Sequence, residues 1–406
     1  MKIGVITYYK VLNFGAALQA VSTYCYLKLN NHEPIFINYM SKEAYAKMSE
    51  NSVLPEWNAI LESTNAVIKE QTEVCHTSED ILKVVDSYGI ECVIMGSDAL
   101  LQHHPLLSRI RKGKRKPFWV LPVDKSRMFP NPFWGVGLAN KVPTGLFSVS
   151  SQNSAYKMFS HRIKKRMASS LMNMRYISVR DEWTKDMILS ILPNKNIPIT
   201  PDPVFAFNQN AGEFIPSKEK LLSKFRLPQN YLLLSLFSQS LSEKTLLELK
   251  QKMSQKGVSC VVLHTPTGHG FKHPFDYEVT PPLTPLEWYG LIKYSYAYVG
   301  SNMHPIVVCL HNTIPCFSID NWGRENFWGK KLDDGSSKVL HIMNQFQVGC
   351  NHRVIQQGTC HVSADEIVSA LERFPKETVK KQAEQYLKKY NVFMADLISS
   401  LKTCDS

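Results

Sequence analysis

The most chemically suggestive position in this sequence is a histidine that comes shortly after a glycine-serine turn. Val299-Gly300-Ser301-Asn302-Met303-His304-Pro305 reads as the end of an apolar strand, a tight turn and the opening turn of a helix. Unpaired amides and the positive end of the helix dipole gather at such a point. They favour an anion beside an imidazole suited to general acid or base work. Ser301 and Asn302, on the same turn, are candidate contacts to that anion; the competing account is a structural histidine. Arg180 closes the apolar run Ile177-Ser178-Val179 and offers a planar fork for a carboxylate or phosphate, unless it pairs with Asp181 or Glu182. Asp98 ends Met95-Gly96-Ser97-Asp98, at the strand edge where open α/β sheets bind ligands, or else it caps a following helix. Asn13 and Gly15 lie in the loop between the first strand and the first helix, where helix amides can receive an anion or hydroxyl. The alternative there is a turn in which Gly15 takes an unusual backbone angle and Asn13 caps. The loop lacks the full G-x-G-x-x-G spacing and is no dinucleotide fingerprint.

The elements that must position these residues alternate between strand and helix. Lys2 to Tyr8 reads as a buried strand, Gly15 to Leu29 as a helix and Ile35 to Asn38 as the next strand, a βαβ start that builds a parallel sheet. A helix at Ser78 to Tyr88 and strands at Cys92 to Met95, Leu146 to Ser150 and Tyr176 to Val179 continue it. Residues 105 to 145, rich in Pro, Gly, aromatic and basic residues, read as a long functional loop or lid. A second series follows Asp202-Pro203, with strands at Tyr231 to Phe237, Ser259 to His264, Ala297 to Gly300 and Pro315 to Ile319. Its helices begin at capping boxes, Ser240-Leu-Ser-Glu243, Thr284-Pro-Leu-Glu287 and one at Ser363, with a further helix from Met303 to His311. The expectation is an α/β protein with two Rossmann-like lobes, residues 1–200 and 201–375, and a helix in 376–406 that packs back on the first lobe.

Composition narrows the partners. The 406 residues carry a formal charge of +12, with 44% hydrophobic and 20% charged residues, values that point to a globular chain rather than disorder. The start of the chain lacks a signal-peptide pattern and no stretch is long enough to span a membrane, so a cytoplasmic location is expected. The nine cysteines show no zinc spacing and read as buried thiols, and no metal is expected. The basic runs Arg109 to Lys116 and His161 to Arg166 are not interleaved with stacking aromatics; they read as solvated faces, and nucleic acid is not an expected partner. Oligomeric state is not readable.

Five segments in order, Asn13-Phe14-Gly15-Ala16 with Leu18-Gln19, Gly96-Ser97-Asp98, Ser178-Val179-Arg180-Asp181, Asp202-Pro203 and Gly300-Ser301-x-Met303-His304-Pro305, resemble the polysaccharide pyruvyl transferase family over about residues 1 to 325. The resemblance implies a two-lobed, GT-B-like, metal-independent enzyme that transfers the pyruvyl group of phosphoenolpyruvate onto two sugar hydroxyls as a ketal. It needs no cofactor beyond that donor, and it places the work in exopolysaccharide biosynthesis. By the same resemblance Arg180 grips the donor, His304 binds it and moves protons, and Asn13 and Asp98 face the glycan acceptor. The family's usual arginine two residues before the histidine is Asn302 here, leaving Lys272, Lys293 and Arg324 as candidate replacements. A nucleotide-sugar-dependent glycosyltransferase and a non-catalytic glycan-binding protein are the alternatives.

Overall fold

A computed structural model describes the whole chain except residues 52–53, 114–116, 237–239, 267–269, 322, 357 and 403–406. Two six-stranded sheets share one plan. The first contains β1 (Lys2–Ile6), β2 (Glu33–Tyr39), β3 (Gln71–Cys75) and β4 (Cys92–Asp98), then, after a small ribbon of β5 (Ile110–Lys112) and β6 (Phe118–Val120), β7 (Thr144–Val149) and β8 (Tyr176–Val179). Their spatial order is β3-β2-β1-β4-β7-β8, every pairing parallel. The second sheet holds β9 (Tyr231–Ser235), β10 (Ser259–Leu263), β11 (Tyr277–Val279), β12 (Ala297–Gly300), β13 (Cys316–Asp320) and β14 (His352–Val354), ordered β11-β10-β9-β12-β13-β14 and again parallel throughout. Both are the doubly wound order, which reverses direction between the first and fourth strands of each sheet.

Parallel strands buried on both faces need apolar cover on each side, and the core falls into three bodies accordingly. One fills the space between the sheets, joining Ile3 and Val5 of β1 to Leu233 of β9 and Val261 of β10 through the helices Phe14–Leu29, Pro285–Lys293 and Met303–His311. The other two cover the outer faces of the first and second sheets. The helix Lys376–Leu401 packs back on the first sheet: Tyr390 meets the Phe147 ring of β7 edge-on at 5.8 Å, and Leu397 closes over Gly145. Among the described residues no helix is long and apolar enough to cross a membrane.

Several expectations shift in detail. Residues 105–145 are not an unpatterned loop; they form the antiparallel β5–β6 ribbon and short helical turns at Leu106–Arg109, Lys125–Arg127 and Pro132–Trp134. The helix Glu243–Ser254 is capped by Ser242, whose Oγ accepts from the Thr245 amide at 3.0 Å, and not by Ser240. Thr284 and Glu287 do form a reciprocal box, whereas Ser363 caps without one, because Glu366 turns to Arg353 instead. Part of the predicted basic run, 114–116, and the end of the predicted strand, Phe237, lie outside the described residues, as does Cys404. The other eight cysteines are free, all but Cys350 buried.

Candidate active site

The two reversal points face each other, so the residues leaving β1, β4, β9 and β12 line one crevice. From the first lobe come Asn13, Gly15 and Asp98; from the second come Ser235, Asn302 and His304; together with Lys338 they bound a cavity of about 440 Å³, a size that suits a small ligand. Asn13 caps the first helix by accepting from the Ala16 amide at 3.3 Å. Gly15 sits inside that helix with an ordinary backbone angle, so its expected conformational role is corrected. Close approach explains it: a Cβ there would stand 2.1 Å from Cγ and Nδ1 of His304. Gly15→Ala is therefore expected to lower stability by about 1–3 kcal/mol in a urea melt and kcat/KM by about tenfold. Gly212→Ala, where no atom lies within 4 Å, is expected to be neutral or mildly stabilising; equal effects at both sites would refute the contact.

Asp202, on the segment between the two sheets, is the hub. Its Oδ2 accepts from Arg180 Nη1 at 2.7 Å and from Gln19 Nε2 at 2.5 Å, while Oδ1 accepts from the Val204 amide at 3.0 Å. His304 Nε2 stands 4.0 Å from the same Oδ2. Burial alone would raise the Asp202 carboxyl pKa, but Arg180 and then His304 outweigh it and hold the group below its usual range. Burial likewise works against the Arg180 charge, and Asp202 reverses the balance. Among the described residues Arg180 Nε and Nη2 are buried without a hydrogen-bond partner, as is His304 Nε2. Orphaned polar groups are expensive in an interior, and here two charged Arg180 donors and one imidazole nitrogen flank one carboxylate. Burial lowers the His304 pKa to about 4, with Asp202 opposing and Arg180 reinforcing the shift, so the ring is neutral at pH 7.

Arg180 and His304 thus meet at Asp202 but open on different spaces. His304 faces the larger cavity, while Arg180 lines an adjoining one of about 120 Å³ with Asp202, Met303 and His341. Lys338, the first residue of the helix Lys338–Gln345, lines both. The residue is half-buried between the two cavities, and desolvation of its ammonium, then the Arg180 charge, lower its pKa to about 8.

A family model for polysaccharide pyruvyl transferase matches residues 13–323. The chain belongs to that family. Members of the polysaccharide pyruvyl transferase family are glycan-modifying transferases, and the two lobes are of GT-B type. In fold this family member is similar to UDP-GlcNAc 2-epimerase from Neisseria meningitidis bound to UDP-GlcNAc, with TM-score 0.55 and 10% identity over 98% of this chain and 100% of that one. It is also similar to UDP-GlcNAc 2-epimerase from Methanocaldococcus jannaschii, with TM-score 0.54, 11% identity and coverage of 98% and 100%. No curated protein matches the chain.

Within this crevice several sequence expectations need correcting. The partner of Arg180 is Asp202, not Asp181 or Glu182; Asp181 caps the next helix through the Thr184 amide at 2.7 Å. Asp98 caps no helix: its Oδ1 accepts from the Ala99 amide at 2.6 Å, and the next helical turn begins at Leu106. The Ser301 hydroxyl donates to the Ile319 carbonyl at 2.7 Å and does not line the cavity. Asn302 does line it, at a left-handed φ of 81°, a strained backbone for a non-glycine residue. None of the expected substitute cations reaches the crevice. Lys293 donates to Asn208 at 3.0 Å, Arg324 pairs with Asp334 at 3.0 Å, and Lys272 borders a separate pocket beside Ser242. The cations that do line it are Lys338 and Arg127, the latter from the segment read as a lid. Neither stands in a recognisable motif, since Ser336-Ser337-Lys338 signals only a capped helix start.

Proposed function

We propose that this protein transfers the pyruvyl group of phosphoenolpyruvate to two hydroxyls of a sugar in a polysaccharide precursor, forming a ketal. The observation that carries the reading is the meeting of the Arg180 fork and the neutral His304 imidazole at Asp202, with Lys338 lining both adjoining cavities on which they open, the larger one of a size for donor and sugar. A donor with both carboxylate and phosphate needs cationic groups with unused hydrogen-bonding capacity, and Arg180 has two such N–H positions.

In the reaction the donor methylene gains a proton and its C2 gains two sugar oxygens. The C2–O bond to phosphate breaks, one hydroxyl proton ends on the new methyl group, and the other leaves with phosphate. A neutral imidazole fits this traffic, because it can accept a hydroxyl proton and return it. Asp202 is acceptor-only, so it favours the ring proton on Nε2 and leaves Nδ1 as the basic nitrogen. An arriving donor brings negative charge beside the ring, which raises its affinity for that proton. Asn302, where the family has an arginine, leaves Lys338 as the cation nearest this role.

Phosphoenolpyruvate is expected to raise the melting temperature progressively with its concentration, by mass action on the folded state, with UDP-sugars giving no shift. Phosphate release should then require an added glycan. A shift with UDP-sugars and none with phosphoenolpyruvate would overturn this donor assignment.

A further inference from the structure

Away from the cleft, the β5–β6 ribbon builds a surface of a different kind. Ile110 pairs with Val120, Arg111 with Trp119 and Lys112 with Phe118. One edge is fastened to the second lobe: Arg111, buried, pairs with Glu325 at 3.4 Å, and the Lys112 amide donates to the Phe327 carbonyl at 2.8 Å. That docking brings a remote aromatic pair alongside. Lys112 Nζ lies 4.3 Å from the centre of the Trp328 ring, and Phe327 meets Trp328 edge-on at 5.5 Å. Phe118, Trp119, Phe327 and Trp328 are nonetheless exposed, Phe118 to 56% and Trp328 to 63%, and so are Leu106 and Leu107 at the entry to the ribbon. Exposed large apolar side chains gathered in this way mark an interaction surface rather than ordinary solvent-facing scatter.

The charge around them is predominantly basic, although Glu325 pairs with Arg111 and Lys331 and Asp334 with Arg324. Arg109 and Lys112 lie on the ribbon side and Lys330 and Lys331 follow Trp328. A pocket of about 330 Å³ is lined by Arg109, Arg111, Arg324 and Lys331 together with Glu325. Arg109 Nε is buried without a hydrogen-bond partner among the described residues.

From this combination we infer that the ribbon docks the protein on an anionic lipid surface. Trp and Phe rings have the amphipathic or apolar character that the headgroup layer accepts, and Lys and Arg beside them meet lipid phosphates. A second copy of the chain is disfavoured as the occupant, because a twofold contact would press like charges together. A neutral glycan would leave the basic groups unanswered. The segment continues to Arg127, which lines the cleft, so one stretch of chain joins the ribbon to the crevice. The surface stands independently of the proposed donor chemistry.

Vesicle co-sedimentation of the full chain tests the inference. Binding is expected to vesicles of phosphatidylglycerol and phosphatidylethanolamine, to weaken with salt, and to be absent from phosphatidylcholine alone. The triple variant Phe118→Ser, Trp119→Ser, Trp328→Ser is expected to partition at least tenfold less while keeping its melting temperature and its phosphoenolpyruvate-induced shift. Arg109→Glu and Lys112→Glu are each expected to weaken binding about fivefold or more at low salt. Equal binding to neutral vesicles, undiminished binding of the triple variant, or a dimer in sedimentation velocity that the triple variant abolishes would each overturn it. Retention on neutral polysaccharide with no vesicle binding would do the same.

Discussion

His304→Asn is expected to lower kcat by about 10²- to 10⁴-fold, the usual contribution of a positioned acid-base group, while phosphoenolpyruvate binding changes by less than tenfold. The separation between the two effects is what identifies proton transfer. His304 is neutral at pH 7 because burial lowers its pKa to about 4, so it adds no cationic charge to the resting donor site, and its removal leaves the Arg180–Asp202 pair in place. Asparagine retains a polar group near Asp202 and is smaller than imidazole, so the close contact with Gly15 is relieved rather than worsened. The variant should therefore fold. Phosphate release under saturating donor and acceptor, alongside a urea melt, makes the comparison. Wild-type turnover in the variant, or a loss that merely tracks unfolding, would remove His304 from the chemistry.

That the sequence pointed to this neighbourhood follows from the regularity of doubly wound sheets. Gly96-Ser97-Asp98 and Gly300-Ser301-Asn302 sit at equivalent strand ends, and a parallel sheet that reverses its winding leaves its crevice there. Ser78–Tyr88 runs as its amphipathic pattern predicts, and Met303–His311, apolar and buried from Met303 to Leu310, runs as the preceding Gly-Ser turn predicts. What sequence spacing does not carry is long-range pairing. Asp202 is 22 residues from Arg180 and 183 from Gln19 along the chain, and it joins them because the inter-lobe segment crosses both lobes. Pairing Arg180 with its neighbours Asp181 and Glu182 was the local solution; the fold uses Asp181 as a helix cap instead.

The aromatic surroundings of the basic run were legible only in part, since Phe118 and Trp119 follow Lys116 almost directly in the sequence. Arg109 to Lys116 contains no aromatic residue, and the rings that accompany it come from Phe118 and Trp119 across a hairpin and from Phe327 and Trp328 in the other half of the chain. Lys338 was missed for a related reason. A lysine after two serines is an ordinary surface pattern, and its depressed pKa arises from burial and from Arg180, 158 residues away in the sequence. A group strongly perturbed by burial and a specific charge, lining a cavity, is a functional candidate on physical grounds.

Lys338→Met is accordingly expected to weaken phosphoenolpyruvate binding by about ten- to a hundredfold, the range of a lost charge-assisted hydrogen bond, and Lys338→Arg to restore most of it. The pH profile distinguishes this role from simple packing. With its pKa lowered to about 8, Lys338 is charged at neutral pH and loses its proton as pH rises through about 8. In the free enzyme kcat/KM is therefore expected to be level near pH 7 and to fall about tenfold per pH unit above 8. The donor adds no limb there, because a phosphate monoester completes its second ionisation near pH 6. Lys338→Arg should carry the plateau past pH 9, since a guanidinium stays charged, and Lys338→Met should show a low, flat profile with no break at 8. Stability moves the other way. A lysine whose folded-state pKa is depressed destabilises the fold while it is protonated, fully so below pH 8, and that penalty disappears as pH rises toward its ordinary value of 10.5. Lys338→Met should then melt higher than wild type at pH 7 without ligand and lower than wild type in saturating phosphoenolpyruvate. A variant less stable in both conditions, with the alkaline limb unchanged, would make Lys338 a packing residue and leave the donor to Arg180 alone.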